Sequence, residues 1–248
     1  MHTRFAHAVL LAGSAAAILL AAAPSGAQEL TLSLGEGGSL TGRSIQLLVL
    51  ITVLSLAPGL AIMVTCFPFL VTVLSILRQA IGLQQSPPNM LIVSLAMFLT
   101  WFIMEPVFTE AWRAGVQPAM DAGLPLDQAF TLAIAPFRGF MANRIDGETF
   151  AALAALRPPA VTGSALADAP LSLLVPSFML SEIQRAFEIG FLIYLPFLII
   201  DLVVSAVLMS MGMMMVPPAI VSMPFKLAFF VVADGWALIS GALVRSYF

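Results

Sequence analysis

The sequence predicts an all-α membrane protein: about four long, kinked apolar helices that form hairpins, with a small exported helical region between the second and third. Three observations lead there. Of the 248 residues, 60% are hydrophobic and only 9% are charged, whereas a soluble domain carries about a quarter charged residues. Several apolar runs approach the length of a bilayer span. Prolines interrupt those runs, which marks kinked or broken helices. The net charge of −3, with no basic block, argues against nucleic acid as a partner.

Residues 1–27 have the pattern of a cleavable secretory signal. Arg4 gives a small positive region, Ala8–Ala23 is apolar, and Ser25-Gly26-Ala27 places small residues for cleavage after Ala27. An uncleaved first transmembrane helix is the alternative. Residues 28–43 are polar and Gly-rich, as expected of an exported N-terminal segment. A secreted start places the chain in a bacterial inner membrane. Without residues 1–27 the histidines His2 and His7 are gone and Cys66 is the one cysteine. That excludes a His-based triad, a His-containing zinc site and an internal disulfide. Cys66 then reads as a small packing residue.

Residues 44–108 form the first membrane or core hairpin. Ser44–Leu77 exceeds one hydrocarbon thickness at about 1.5 Å per residue. Pro58-Gly59 and Pro68 are expected to break or kink it. Such breaks at membrane depth need protein or a wet cavity around them. Arg78 to Asn89 is a polar turn, with Asn89 expected to cap the next helix. Met90–Met104 is short for a span and is expected to close at Glu105-Pro106.

Residues 109–176 are less hydrophobic and are expected to be an exported (periplasmic) helical region. Leu126–Arg144 and Gly147–Arg157 read as helices, with Pro136 breaking the first and Asp146 an N-cap for the second. Arg157 to Pro170 reads as a loop.

Residues 177–248 form the second hairpin. Glu182, Arg185 and Glu188 are spaced by three, so Arg185 can pair with either acid on one helical face. Their neighbours are apolar, and charge in apolar surroundings is costly unless paired. An ordinary solvated helix end is the competing reading. Pro196 is a kink site and Asp201 lies inside the same run. Lys226, the only lysine, and Asp234 lie in the last helix. An ionisable group there normally faces a bundle interior and finds a partner. Candidate partners for Lys226 are Asp201, Glu182 or an acid of a neighbouring subunit.

Between the two arms of this hairpin runs Leu208 to Phe225. Gly212 permits backbone angles other residues resist. Pro217 and Pro218 cannot continue a helix but can begin one. Met211, Met213, Met214 and Met215 sit at the tip. Methionine is unbranched and adaptable, so a ring of such tips can seal a pore. A tight turn that buries its methionines as filler accounts for the same residues.

These features weigh against an enzyme, since without residues 1–27 no histidine remains, and the glycine-rich context that an Asp201–Asp234 pair would need is absent around Asp234. No phosphate-binding glycine loop is present, so ATP is not expected, and neither is any other cofactor. A self-contained transporter fits the kinks and buried charges, but no internal repeat is visible. An oligomeric pore subunit is the remaining class.

The run Pro176 to Phe191, reading PSFMLSEIQRAFEIGF, resembles the signature of the FliP/SctR family of type III secretion export gate proteins. So do Leu195-Pro196 to Val203, Met211 to Pro218, Pro224 to Leu227 and Asp234-Gly235-Trp236. Upstream, Arg78, Gln79, Gln84, Gln85, Pro87 and Pro88 match the family loop. The similarity covers roughly residues 47–108 and 176–248. Two departures are Phe67-Pro68-Phe69, where the family often has a Thr-Arg pair, and Ser177 in place of an alanine.

The resemblance implies a pore-forming gate subunit, a pentamer assembled with FliQ and FliR beside other export-apparatus membrane proteins. Unfolded flagellar proteins would pass through it. It further implies that Met213, Met214 and Met215, with Met211 beside them, form a gasket. Family members sit largely above the bilayer plane. Charges such as Glu182, Arg185, Glu188, Asp201, Lys226 and Asp234 can then pair within or between protomers. Virulence-type relatives generally lack both a cleavable signal and a long exported region, so these two features favour the flagellar branch, at the basal body.

Overall fold

The computed structural model describes residues 40–82, 87–121, 123–157, 166–213 and 215–248. The expected signal, most of 28–43, and Gln84, Gln85 and Met214 lie outside the described residues. Every regular element among the described residues is helical. The chain divides into a compact unit up to Ser55 and a second from Leu56 to Phe248.

Helix α1 is Leu40–Met63. In the first unit its hydroxyls are satisfied locally: Thr52 Oγ1 donates to the Leu48 carbonyl at 2.7 Å and Ser55 Oγ to that of Thr52 at 2.8 Å. Such back-bonding lets a polar side chain sit on an apolar helix.

In the second unit, the break lies at Val64–Cys66, just ahead of Pro68 as expected, and not at Pro58-Gly59. Pro58 lies inside α1, and Pro68 sits in the first turn of α2 (Phe67–Ile81), where a missing N–H costs no helical bond. At the break, Thr65 Oγ1 donates to the Ile62 carbonyl at 3.0 Å and accepts the Phe67 N–H at 3.4 Å. Cys66 is fully buried there. Helix α2 turns a continuous apolar stripe inward, through Phe69, Leu70, Val73, Leu74, Leu77 and Ile81. It is the centre of the core.

Asn89 is not the cap of α3 (Asn89–Ala111); Pro88 holds that position. The helix also does not close at Glu105-Pro106. It passes through Pro106, continues through a π-helical turn at Trp112–Val116, and ends as α4 (Gln117–Asp121). A π-helical turn is rare and occurs mostly, as here, as a single turn inside a longer α-helix. Asn89–Asp121 is therefore 33 residues long, ample for a span rather than short of one.

The chain then folds back as α5 (Leu126–Arg144), which runs through Pro136 rather than breaking there. The crossing is close: a Cβ on Gly115 would lie 2.5 Å from the Ala129 carbonyl oxygen. Helix α6 (Gly147–Ala155) starts at Asp146, whose Oδ1 accepts the Thr149 N–H at 2.9 Å.

Helix α7 (Leu171–Ser210) is 40 residues, with Pro176 and Pro196 inside it. Its first half buries residues 174, 178, 182, 186 and 190, a ridge of spacing four. A Cβ on Gly190 would lie 2.4 Å from Ile76 Cδ1, so only glycine lets α2 and α7 approach this closely. Helices α8 (Pro218–Val232) and α9 (Gly235–Arg245) meet at a 61° bend. Asp234 stands at that bend with φ of 46°, and a Cβ on Gly235 would strike Phe230 at 2.1 Å.

Among the described residues, two helices, Asn89–Asp121 and Leu171–Ser210, are each long and apolar enough to cross a membrane. The bent pairs raise the number to as many as four. The fold is that of an all-α membrane protein.

Candidate functional site

The second half of α7 and all of α8 form an apolar arm. Few of its residues are buried, and Ile199, Leu202, Val203, Val207, Ile220 and Phe225 are among those exposed. So much apolar surface requires lipid or protein against it.

The methionine turn closes this arm. Gly212 has φ of 72°, a left-handed conformation that glycine takes without steric cost. The Met213 N–H donates to the Leu208 carbonyl at 3.0 Å and the Gly212 N–H to that of Met209 at 3.1 Å. This pair of bonds is the Schellman arrangement, which satisfies the last carbonyls of α7. Pro217 then caps α8 and Pro218 opens it, as their chemistry allows. Met215 is 97% exposed, Met211 67% and Met213 41%. These three are thus not buried as filler within one chain. Met211 and Met213 also line an open groove of about 570 Å³ with Ile200, Val204, Leu208 and Val221.

Near the middle of the arm, Lys226 Nζ lies 2.6 Å from Asp201 Oδ2. Ser222 Oγ donates to Asp201 Oδ1 at 2.6 Å. Ser222 and Lys226 are one turn apart on α8, so one face supplies both donors. Lys226 is 5% exposed and the Asp201 side chain 30%. Asp201, and not Glu182, is the partner of Lys226 within the chain.

Glu182 is fully buried in the α7 ridge. Its partner is not Arg185 but Arg144, the last residue of α5, whose Nε donates to Glu182 Oε1 at 3.0 Å. The Tyr247 hydroxyl donates to Glu182 Oε2. Burial, and then the Glu182 charge, push the Tyr247 phenol well above its usual range, so it stays protonated and donating. Arg185 is exposed and forms no ion pair with Glu182 or Glu188 among the described residues. Glu188 Oε1 instead accepts from Gln184 Nε2 at 3.1 Å. Asp234 is exposed, and its side chain makes no capping bond to α9.

At the other end of α2, Arg78 Nη1 donates to Asn89 Oδ1 and, at 3.5 Å, to the Pro87 carbonyl. It ties the end of α2 to the start of α3. Gln79 is exposed beside it.

Sequence reasoning missed Ser222, Arg144, Tyr247 and Ser246. Ser222 was findable, being four residues before Lys226. Arg144 and Tyr247 meet Glu182 across 38 and 65 residues of sequence, and no local pattern announces such contacts.

The model of the FliP family matches residues 50–243. A flagellar biosynthetic protein FliP from Caulobacter vibrioides is 50% identical over 238 residues, 96% of this chain and 89% of the relative. One from Bacillus subtilis is 46% identical, covering 82% and 92% of the two chains. Another, from Aquifex aeolicus, is 44% identical over 87% and 90%. With the match running from α1 to α9 through both buried ion pairs and the methionine turn, the chain belongs to the FliP family.

Proposed function

We propose that the chain is a pore-forming core subunit of the flagellar type III export gate, required for flagellum assembly in the bacterial inner membrane. Several copies, arranged as a pentamer with FliQ and FliR and beside other membrane proteins of the apparatus, enclose a path for unfolded flagellar proteins. The observation that carries this reading is the arm. A hairpin of α7 and α8 exposes apolar side chains along its length and ends in Met211, Met213 and Met215, all exposed in the single chain. Such a tip is covered when copies converge, and convergent methionines make a deformable seal that can close around nothing or around a chain. The buried Lys226–Asp201 pair holds the two strokes of the hairpin together.

The test is replacement of Met211, Met213, Met214 and Met215 by alanine. Ion leakage across the inner membrane, with gate assembly kept at its normal level, is expected. An ion-tight membrane in cells with normally assembled mutant gates overturns the gasket role and leaves the turn as structure only.

A further inference from the structure

The bend between α8 and α9 leaves an open apolar groove with one charge in it. Its floor is the buried Ile81, Ile92 and Phe230, and its walls are the exposed Leu91, Val231 and Trp236. The groove holds about 660 Å³, and Asp234 is the one ionisable residue that lines it. Among the described residues the Asp234 side chain forms no ion pair and no hydrogen bond. A carboxylate set in apolar walls calls for a cation that arrives on an apolar surface.

The chain carries such a surface at the other end of α9. Leu238, Ala242 and Arg245 are exposed and spaced by four and three, so they share one helical face. Ile239 and Leu243 bury a different face of the same helix. Arg245 also forms no ion pair among the described residues, and its guanidinium lies back over Gly241, where an added Cβ would be 3.8 Å from Nη1. The 11 residues of α9 hold Asp234 and Arg245 about 16 Å apart, too far for an ion pair within one chain.

We propose that the Asp234 groove receives the Leu238–Arg245 face of α9 from a second copy of this chain, with Arg245 of that copy paired to Asp234. The proposal rests on the reading that several copies assemble around one path. The contact joins unlike surfaces, a groove and a helix end, so it is heterologous and repeats from copy to copy around a ring. Each copy gives one arginine and receives one, which covers both the charge and the groove. Arg113 and Arg185 are exposed too, but Glu110 and Glu188 lie three residues from them and would face Asp234 as like charges. A lipid tail fills the groove without bringing a cation to Asp234.

The test is a double-mutant cycle read by native mass spectrometry, on protein coexpressed with its export genes and purified in mild detergent. Asp234→Asn removes the charge and keeps a residue type that tolerates the left-handed backbone at φ of 46°. Asp234→Asn and Arg245→Gln should each lower the ring-to-monomer ratio by about tenfold or more. The double variant should fall no further than the single ones. Arg245→Lys keeps the charge and should retain more ring than Arg245→Gln. A wild-type ratio in either single variant, or losses that multiply in the double one, overturns the proposal and leaves the gate reading standing. A wild-type chain that forms no ring overturns both. If Asp234→Asn fails to accumulate, Arg245→Gln against Arg245→Lys decides alone, and equal ratios overturn the pairing.

Discussion

Lys226→Met tests the ion pair inside the arm. The substitution keeps the length and apolar stem of the side chain but strands Asp201 with only the Ser222 hydroxyl. Removing one partner of a fully buried pair costs about 3–5 kcal/mol. The Asp201 side chain is 30% exposed, and water there lowers the penalty to about 2–3 kcal/mol. The double variant Lys226→Met/Asp201→Asn leaves no charge, and should cost only about 1 kcal/mol. Even with no cost assigned to Asp201→Asn alone, the coupling between the two sites is then at least about 1 kcal/mol, roughly a fivefold change in the unfolding equilibrium. Denaturant unfolding of the detergent-solubilised protein reads this out by tryptophan fluorescence, since Trp236 packs edge-on against Phe230 at 5.4 Å, in the element that follows the pair. In the cell, Lys226→Glu should lose assembly, and the swap Asp201→Lys/Lys226→Glu should recover part of it. Costs that add across the two sites to within about 0.5 kcal/mol would refute the reasoning.

The close crossing of α2 and α7 predicts that Gly190→Val forces them apart, because a Cβ there already meets Ile76 at 2.4 Å. A loss of about 1–3 kcal/mol in unfolding free energy is expected, with partial rescue by Ile76→Ala; an unchanged midpoint contradicts it. The N-cap of α6 predicts a pH effect. The Asp146 carboxyl is held below its ordinary value, chiefly by accepting the Thr149 N–H. A carboxyl whose pKa is lower folded than unfolded adds stability above its unfolded value of about 3.9 and loses it as pH falls through the folded one. Exchange protection of α6 should therefore be flat above about pH 5 and fall below about pH 4, whereas Asp146→Ala should show weaker protection without that step. A wild-type α6 with no such step contradicts the capping account.

Much of this fold was legible because local chemistry decides it. The helix Leu126–Arg144, the Asp146 cap and the turn at Gly212, Pro217 and Pro218 follow from spacing, capping and backbone freedom. Prolines misled. Pro58, Pro106 and Pro136 all lie inside helices, each at the cost of one backbone bond. The break at Val64–Cys66 holds no proline or glycine itself, but Pro68 in the first turn of the next helix marks it. Arg185 was expected beside Glu182 on helical spacing, but burial ruled: Glu182 faces the core and Arg185 does not. Among candidate partners for Lys226, composition could not choose between acids at 182 and 201; the hairpin register does.

The most direct test of the gate account is native mass spectrometry of the protein purified in mild detergent after expression with its neighbouring export genes. The account predicts a discrete ring mass of several copies with two small membrane partners attached. A stable monomer carrying no partner would contradict it, and would leave the exposed methionine turn without a seal to form.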